Sequence, residues 1–305
     1  MKRVILTGAN GFIGRHSISY LLERNYEVHA LFYNHKPEFK EESNLIWHKC
    51  DILDSSVQEK LFDEINASHM LHFAWYTVPG KYWTSIENLR WVQASIGLII
   101  NFAKNGGRRA VMAGTCAEYD WDYGRCFEKD TPLNPKSLYG ACKNSLANIV
   151  KHFSAEANLS YAWGRIFYLY GPYENPDRLV PSVMGTLLKK EVMQCAHGDQ
   201  IRDFLYIEDA ASAFVSLLES NVTGAVNIAS GNPVAIRDVV NVIADKLDRR
   251  DLVRFGESTD ALNGPKLLVA DVERLNNEVG WKPSYDLDRG LGQTLDWWKD
   301  QKKVK

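Results

Sequence analysis

The stretch V-I-L-T-G-A-N-G-F-I-G, residues 4–14, decides the fold of this chain. Its three leading apolar residues predict a short buried strand, and the apolar residues that recur between positions 13 and 22 predict an amphipathic helix. Gly8 permits a tight turn between them, Gly11 lets the backbone approach a pyrophosphate, and Gly14 lets the helix lie close to the strand. This order of strand, glycine turn and helix is typical of a dinucleotide-binding site, where the helix N-terminus holds the phosphates.

The composition is that of an ordinary globular protein. The chain has 305 residues, of which 45% are hydrophobic and 24% are charged, and its 36 basic residues nearly balance its 38 acidic ones. This balance argues against nucleic acid or an anionic membrane surface as a partner. Every apolar run stays below the roughly 18 residues of a membrane span, so no membrane association is expected.

The five cysteines indicate reduced thiols. Their number is odd, they form no C-x-x-C pair and no histidine cluster accompanies them, so we expect neither a disulfide framework nor a metal site. The leading apolar run is also too short for a signal peptide. A cytoplasmic protein is therefore expected.

Strand and helix patterns alternate through the first half of the chain, which predicts a doubly wound parallel sheet of Rossmann type. The predicted strands are residues 4–6, 27–32, 45–48, 70–75, 109–113 and 161–167, and the predicted helices are residues 13–24, 58–65, 87–104 and 138–156.

The second half is more mixed, and we expect it to form a smaller α/β substrate lobe. Its predicted helices are residues 179–190, 208–220, 236–247, 272–279 and 288–303, with a short strand at residues 225–228. We therefore place a cofactor-binding domain at residues 1–170 and a substrate lobe at residues 171–305. Segments near residues 205–230 are expected to return to the main sheet.

The end of the second predicted strand bears on the choice of cofactor. An acidic residue there would bind the adenosine ribose of NAD, but the sequence continues Tyr33-Asn34-His35-Lys36 without a carboxylate. Lys36, His35 and Arg15 are candidates to meet a 2′-phosphate, which favours NADP and leaves NAD possible. Asp51 and Ile52, after the third strand, are candidate adenine contacts.

Tyr139 and Lys143 suggest the chemistry of the site. On a helix, residues four apart share one face, so the ammonium of Lys143 is expected to approach the phenol of Tyr139 and lower its pKa. Thr115 follows the fifth strand, where its hydroxyl is expected to hydrogen-bond a substrate oxygen. The three residues form a candidate proton-transfer set beside a nicotinamide.

Over nearly its whole length the sequence resembles the extended short-chain dehydrogenase/reductases that act on nucleotide-diphosphate sugars. Besides the glycine turn and the Y-x-x-x-K pair, the resemblance rests on the segments H-F-A (72–74), R-I-F-Y-L-Y-G-P (165–172), L-V-P (179–181), R-D-F-L-Y-I-E-D (202–209) and G-W-K-P (280–283). It implies a Rossmann domain, NAD(P), a nucleotide-diphosphate sugar as the bound partner, and a homodimer formed through two helices per subunit.

The resemblance also implies which residues bind the two ligands. Those expected at the cofactor are Gly8, Asn10, Gly11, Phe12, Ile13, Gly14, Arg15, Tyr33, Asn34, Lys36, Asp51, Ile52, Phe73, Ala74, Tyr139 and Lys143. Those expected at the substrate are Trp75, Thr115, Cys116, Tyr168, Val180, Arg202 and Arg254. The two arginines are candidates to bind the diphosphate. Trp75, with Tyr76, Trp83 and Trp91, could form the floor of a sugar or base site or simply pack in the core.

Departures from the family pattern narrow the reaction. The 4,6-dehydratases of the family carry an acid pair directly after the catalytic threonine, where this chain has Cys116 and Ala117, so dehydration is disfavoured. In the GDP-fucose synthase branch the cysteine that moves protons at carbon stands at the place of Ala117, so an epimerase role for Cys116 is doubtful. Tyr168 replaces a usual asparagine, which implies an altered substrate contact.

The leading hypothesis is the reduction of a nucleotide-diphosphate 4-keto-6-deoxyhexose in deoxysugar or surface-polysaccharide biosynthesis. A 4-epimerase and a sugar dehydrogenase use the same residues and remain alternatives. A non-enzymatic NADP sensor is disfavoured because Tyr139 and Lys143 are both present.

Overall fold

A computed structural model describes residues 1–37, 39–40, 42–196, 198–256 and 264–303 of the chain. Its strands are β1 (Lys2–Thr7), β2 (Tyr26–Phe32), β3 (Leu45–Lys49), β4 (His69–His72), β5 (Arg109–Thr115), β6 (Arg125–Cys126), β7 (Ser160–Ile166), β8 (Tyr168–Tyr170), β9 (Met193–Cys195), β10 (Ile201–Tyr206), β11 (Gly224–Ile228), β12 (Pro233–Ala235), β13 (Val253–Phe255) and β14 (Leu267–Ala270). Its α-helices are α1 (Phe12–Glu23), α2 (Ser55–Ile65), α3 (Glu87–Lys104), α4 (Leu138–Glu156), α5 (Leu179–Leu188), α6 (Ile207–Glu219), α7 (Ile236–Leu247) and α8 (Leu287–Lys303).

Seven parallel strands form the main sheet, in the order β11-β7-β5-β4-β1-β2-β3. Alternate residues of β1 point to opposite faces: Val4 and Leu6 pack with α1 and α6, whereas Ile5 packs with α2, α3 and α4. All three side chains are fully buried. The predicted doubly wound fold is confirmed. The strand order reverses between β1 and β4, where the carboxyl ends of the strands leave a crevice for a ligand.

The smaller lobe contains short strands that the sequence analysis missed. β10 is central to its mixed sheet, between β12 and β14, and also pairs with β8, while β14 continues to β6. Helices α5, α7 and α8 surround a separate apolar core. The helix predicted over residues 272–279 forms only as one turn of π-helix, at Arg274–Glu278.

The chain passes between the two parts more than once. β10 lies in the smaller sheet, but the next strand, β11, pairs in parallel with β7 at the edge of the main sheet. The domain boundary at residue 170 therefore remains a prediction. Strands from before and after that residue lie side by side in the main sheet.

The glycine turn joins β1 to α1 by very close backbone contacts. Gly8 has a φ of +65° in the left-handed region, and its carbonyl oxygen accepts a hydrogen bond from the amide of Gly11 at 2.9 Å. A Cβ atom on Gly14 would lie 2.1 Å from that same oxygen. Glycine at position 14 is thus required for α1 to approach β1.

Replacing Gly14 with alanine should therefore disrupt the turn. The new methyl group meets backbone that has no rotamer to change, so we expect a loss of about 1–3 kcal/mol or more in the free energy of unfolding. Denaturant unfolding checks the stability, and fluorescence titration with NADH and NADPH checks the phosphate site.

Gly185→Ala is the matched control. An added Cβ there meets nothing within 4 Å and the residue lies inside α5, so this change should be neutral or stabilising. Equal stability of the two variants would contradict the role given to Gly14.

Candidate active site

A cleft of about 880 Å³ opens above the carboxyl ends of the main strands and faces the smaller lobe. It brings together most of the residues expected at the ligands. The expected cofactor residues that line it are Gly8, Asn10, Gly11, Phe12, Ile13, Gly14, Tyr33, Asp51, Ile52, Phe73, Ala74 and Tyr139, and the expected substrate residues are Trp75, Thr115, Cys116, Tyr168, Val180 and Arg202.

Seven of the candidate residues do not line the cleft: Arg15, Asn34, His35, Lys36, Tyr76, Lys143 and Arg254. The guanidinium of Arg15 stacks on the ring of Tyr173 at 3.6 Å, whereas Asn34 and Lys36 are exposed just beyond β2. Arg254 is exposed on the β9–β13 pair and donates hydrogen bonds to two backbone carbonyls of its own segment. Arg254 therefore lies outside the cleft, and its expected role at the diphosphate stays a prediction.

A buried hydrogen-bond network holds the segment that follows β4. His72 bonds Thr7 Oγ1 through Nδ1 at 2.7 Å and Ser95 Oγ through Nε2 at 2.9 Å, and Thr7 Oγ1 also accepts from the amide of Ala74. Burial lowers the pKa of His72 to about 3, so the ring is neutral. The strand predicted over residues 70–75 thus ends at His72, and the next residues turn into the cleft.

Tyr139 and Thr115 meet at the centre of the cleft. Thr115 ends β5, and Tyr139 lies in the first turn of α4, whose N-terminus is capped by the Ser137 side chain. Thr115 lies close enough to the phenol to lower its pKa, but burial dominates and raises the pKa of Tyr139. The phenol is therefore held in its neutral, proton-carrying form.

The expected effect of Lys143 on this phenol is not found in the structure. The Lys143 side chain is buried behind the cleft, where Nζ donates a hydrogen bond to the carbonyl of Ala113 at 2.9 Å. The ring of Trp75 lies 3.7 Å from the ammonium and is itself fixed by a hydrogen bond to Asn88. Burial lowers the pKa of Lys143 to about 7. Lys143 makes no contribution to the pKa of Tyr139 in this structure, because its ammonium is directed to Ala113 and Trp75 instead.

Aromatic rings surround Tyr139, and one of them, Trp83, was expected either at a sugar or base site or in the core. The ring of Tyr82 meets that of Tyr139 edge-on at 4.9 Å, and Trp83 does so at 5.8 Å. The carbonyl of Trp83 also accepts the amide of Tyr139, and Trp121 packs on the far side of Trp83. All of these rings line the cleft. The density of aromatic residues between β4 and α3 was the available signal.

The polar residues of the R-D-F-L-Y-I-E-D segment have different tasks. Arg202 is buried, lines the cleft and lies 5.5 Å from the centroid of the Tyr168 ring. Asp203 and Asp209 instead accept backbone amides from neighbouring loops and are structural. Only Arg202 and Phe204 of this segment face the cleft.

The carboxylate nearest to Thr115 in sequence is also structural. Glu118 is fully buried, pairs with Arg165 at 2.8 Å and accepts the indole N–H of Trp163. The two positions between it and Thr115 hold Cys116 and Ala117, and burial raises the pKa of the Cys116 thiol. No titratable carboxyl therefore follows Thr115 directly on the cleft wall.

Two further polar residues of the cleft, Glu174 and Arg178, were missed by sequence reasoning. They lie in the loop after β8 and at the N-terminus of α5, in a segment read only as a link between motifs. Neither position carried a pattern of its own in the sequence.

The fold and the Tyr139–Thr115 pair define a Rossmann-type enzyme that acts beside a dinucleotide. The model of the NAD dependent epimerase/dehydratase family matches residues 4–229, and the chain belongs to this family. Its known relatives modify nucleotide sugars by reduction, epimerisation and dehydration.

Three relatives illustrate the range of reactions. The chain is 25% identical to the dTDP-4-dehydro-6-deoxyglucose reductase of Escherichia coli, over 96% of either chain. It is 28% identical to the dTDP-6-deoxy-L-talose 4-dehydrogenase (NAD(+)) of Aggregatibacter actinomycetemcomitans, over 78% of this chain and 87% of the relative. It is 26% identical to the dTDP-glucose 4,6-dehydratase of Xanthomonas campestris pv. campestris, over 98% and 93%. Identity alone therefore does not separate a reductase from a dehydratase.

Solved structures agree with the fold. MoeE5 in complex with UDP-glucuronic acid and NAD is 26% identical and superimposes with a TM-score of 0.83, over 98% of this chain and 99% of that one.

The described residues contain neither a membrane-spanning helix nor a cluster of metal-binding side chains. No helix in that part of the chain is long and apolar enough to cross a membrane. No group of three or more histidine, cysteine or acidic side chains there is placed to hold a metal ion.

The burial of Lys143 gives a pH-dependent prediction. Its folded pKa of about 7 lies below the ordinary 10.5, so the unfolded chain binds more protons between these pH values and stability rises with pH. Lys143→Met removes this contribution. The variant should exceed wild type in free energy of unfolding by the largest amount at or below pH 7. This difference should shrink toward about pH 10.

Chemical denaturation at about pH 6.5 and about pH 9.5 measures this difference. Lys151→Met, an exposed lysine on the same helix, serves as the control and should show no trend. A difference for Lys143→Met that is independent of pH would contradict the desolvated lysine.

Proposed function

We propose that this protein uses NAD(P)H to reduce a nucleotide-diphosphate 4-keto-6-deoxyhexose at C4, in deoxysugar or surface-polysaccharide biosynthesis. The observation that carries the proposal is the neutral phenol of Tyr139, which lies close to Thr115 and inside an aromatic wall of the cleft. The similarity to a 4-keto-6-deoxysugar reductase and to a 6-deoxytalose 4-dehydrogenase supports it.

The glycine turn fits a dinucleotide. A Cβ on Gly8 would lie 2.9 Å from the amide nitrogen of Ala74, so the turn is closed against the sheet, while Gly11, Phe12 and Ile13 face the cleft at the start of α1. The first amides of a helix have no partner within the helix and bind phosphate. Asp51 and Ile52 would hold the adenine end, and Phe73 and Ala74 the middle of the molecule.

The reaction divides between cofactor and protein. A reduced nicotinamide supplies the hydride to the ketone carbon. Tyr139 donates its phenolic proton to the ketone oxygen, and Thr115 hydrogen-bonds the phenol and orients it. The raised pKa suits a proton donor in reduction better than a base in oxidation, because the phenol keeps its proton until the alkoxide forms.

The walls of the cleft fit a deoxysugar diphosphate. Tyr82, Trp83 and Trp121 give the sugar an apolar surface that suits a methyl group at C5. Arg202, buried beside Tyr168, offers a guanidinium to the diphosphate. A dehydratase needs an acid and a base at C5 and C6, and the residues after Thr115 provide neither.

Tyr139→Phe tests the proton donor. The change removes one oxygen from a packed ring, so NADPH-dependent reduction of TDP-, CDP- and GDP-linked 4-keto-6-deoxyhexoses should fall by about 10²–10⁴, with little change in cofactor affinity. Tyr123→Phe, at an exposed tyrosine, should leave the rate unchanged.

The wild-type assay also separates the alternatives. If none of the three ketosugars supports oxidation of NADPH, the reductase proposal is contradicted. Conversion of a nucleotide hexose to its epimer without added cofactor would indicate an epimerase. Release of a 4-keto product from the same nucleotide hexose would indicate a dehydratase.

We further propose NADPH as the preferred donor, although a solved relative of similar fold contains NAD. No carboxylate ends β2, and the carbonyl of His35 lies 3.5 Å from Asn10 Nδ2, which keeps the segment with Lys36 beside the glycine turn. Arg15 is engaged with Tyr173, so Lys36 is the cation that we assign to the 2′-phosphate.

Lys36→Ala should lower kcat/KM for NADPH about tenfold, as expected when a charged hydrogen bond is lost, and leave that for NADH unchanged. Steady-state kinetics with both cofactors measure this ratio. Lys40→Ala, also at an exposed lysine, is the control. A wild-type preference for NADH that is insensitive to Lys36 would overturn the assignment.

The predicted homodimer and cytoplasmic location also remain proposals. All five cysteines are unpaired, which suits a reducing compartment.

A further inference from the structure

Glu174 enters the cleft from an unusual backbone turn. The preceding residue, Tyr173, has a φ of +69° in the left-handed region, which is strained for a non-glycine residue. Its ring packs outward against Arg15 and Trp297, at 3.6 Å and 4.7 Å. This turn sends the next side chain inward, and Glu174 is only 9% exposed and lines the cleft.

The carboxyl of Glu174 is poorly satisfied within the protein. Its Oε2 atom is buried without a hydrogen-bond partner among the described residues. The nearby guanidinium of Arg178 lies over the ring of Tyr82, whose centroid is 5.3 Å away. A buried carboxyl without a partner destabilises a fold, so packing alone gives no reason for a glutamate at this position.

The neighbours of Glu174 place it on the sugar side of the cleft. Arg178 contacts Tyr82, and Tyr82 in turn contacts Tyr139. The wall around Tyr139 is otherwise mainly aromatic, and an aromatic wall discriminates weakly between sugars. A group that hydrogen-bonds a sugar hydroxyl, in contrast, rejects analogues that lack this hydroxyl.

We propose that Glu174 is a sugar-binding residue whose carboxyl hydrogen-bonds one hydroxyl of the hexose. The inference rests on the proposed function, since it names a specificity contact for the same substrate. Burial raises the pKa of Glu174 to about 8, against a weaker effect of Arg178. At neutral pH the group is therefore mostly protonated, and it donates to the hydroxyl oxygen as well as accepting from it.

A neutral carboxyl and an amide have nearly the same shape and hydrogen-bonding capacity, which gives the test its form. Glu174→Gln should keep the contact, whereas Glu174→Leu should abolish it. The probes are dTDP-glucose, UDP-glucose and GDP-mannose, with the bare nucleoside diphosphates as references, titrated by calorimetry in saturating NADP⁺. The measured quantity is the gain in affinity that the hexose adds to its nucleotide.

We expect Glu174→Leu to reduce that gain about three- to tenfold, as for one lost neutral hydrogen bond, and Glu174→Gln to keep it within about twofold. Cofactor affinity should stay constant in both. Asp177→Asn, at an exposed carboxylate of the same loop, should match wild type. If the leucine variant is unstable in thermal unfolding, Glu174→Ala replaces it with the same expectation.

Three results would overturn the inference: an unchanged gain in the leucine variant, an equal loss in the glutamine and leucine variants, or a loss confined to NADP⁺ binding. Failure of the proposed function is a different result, in which the wild type binds the hexoses but reduces no 4-ketosugar. If the wild type gains no affinity from any hexose, both proposals fail.

Discussion

The contact between α1 and the turn that precedes it is the constraint on which the rest of the structure depends. The carbonyl of Gly8 accepts the amide of Gly11 and lies where a side chain at position 14 would begin. Because the helix approaches so closely, its first residues line the crevice beside β1. Their free amides are therefore available to a phosphate bound there. The reversal of strand order at β1 and β4 then fixes where the two ends of a dinucleotide lie. Thr115 follows from the same geometry, since it stands at the end of the strand beyond β4.

The electrostatics of the site come from burial more than from pairing of opposite charges. Tyr139, Lys143 and Glu174 are all displaced toward their neutral forms, each by the low polarity of its surroundings. Such a site holds protons on its acids and discourages charge until a ligand supplies a partner. The phenol and the carboxyl are thus suited to donate hydrogen bonds at neutral pH, which agrees with a reaction that ends in protonation of an alkoxide.

Sequence reasoning identified the elements whose patterns are local and missed those that depend on distant partners. The glycine turn and the tyrosine on α4 were found because spacing along one strand or helix defines them. The three-residue strands β8, β12 and β13 are too short to show alternation, and they form only because β10 and β9 lie beside them. Lys143 shares a helix face with Tyr139, as predicted from spacing, but its ammonium is bound by Ala113 and Trp75, which come from other elements. Glu174 belongs to no periodic segment, so only the fold reveals that it faces the cleft.

The return of β11 to the main sheet has a consequence for motion. The chain crosses between the two parts five times: from β5 to β6, from β6 to α4, from β7 to β8, from β10 to α6 and from β11 to β12. A body joined by a single linker swings freely about one hinge, but five crossings tether this lobe at separate points. Displacement of the lobe therefore has to be accommodated in several crossing segments at once, and one flexible linker is not enough for it.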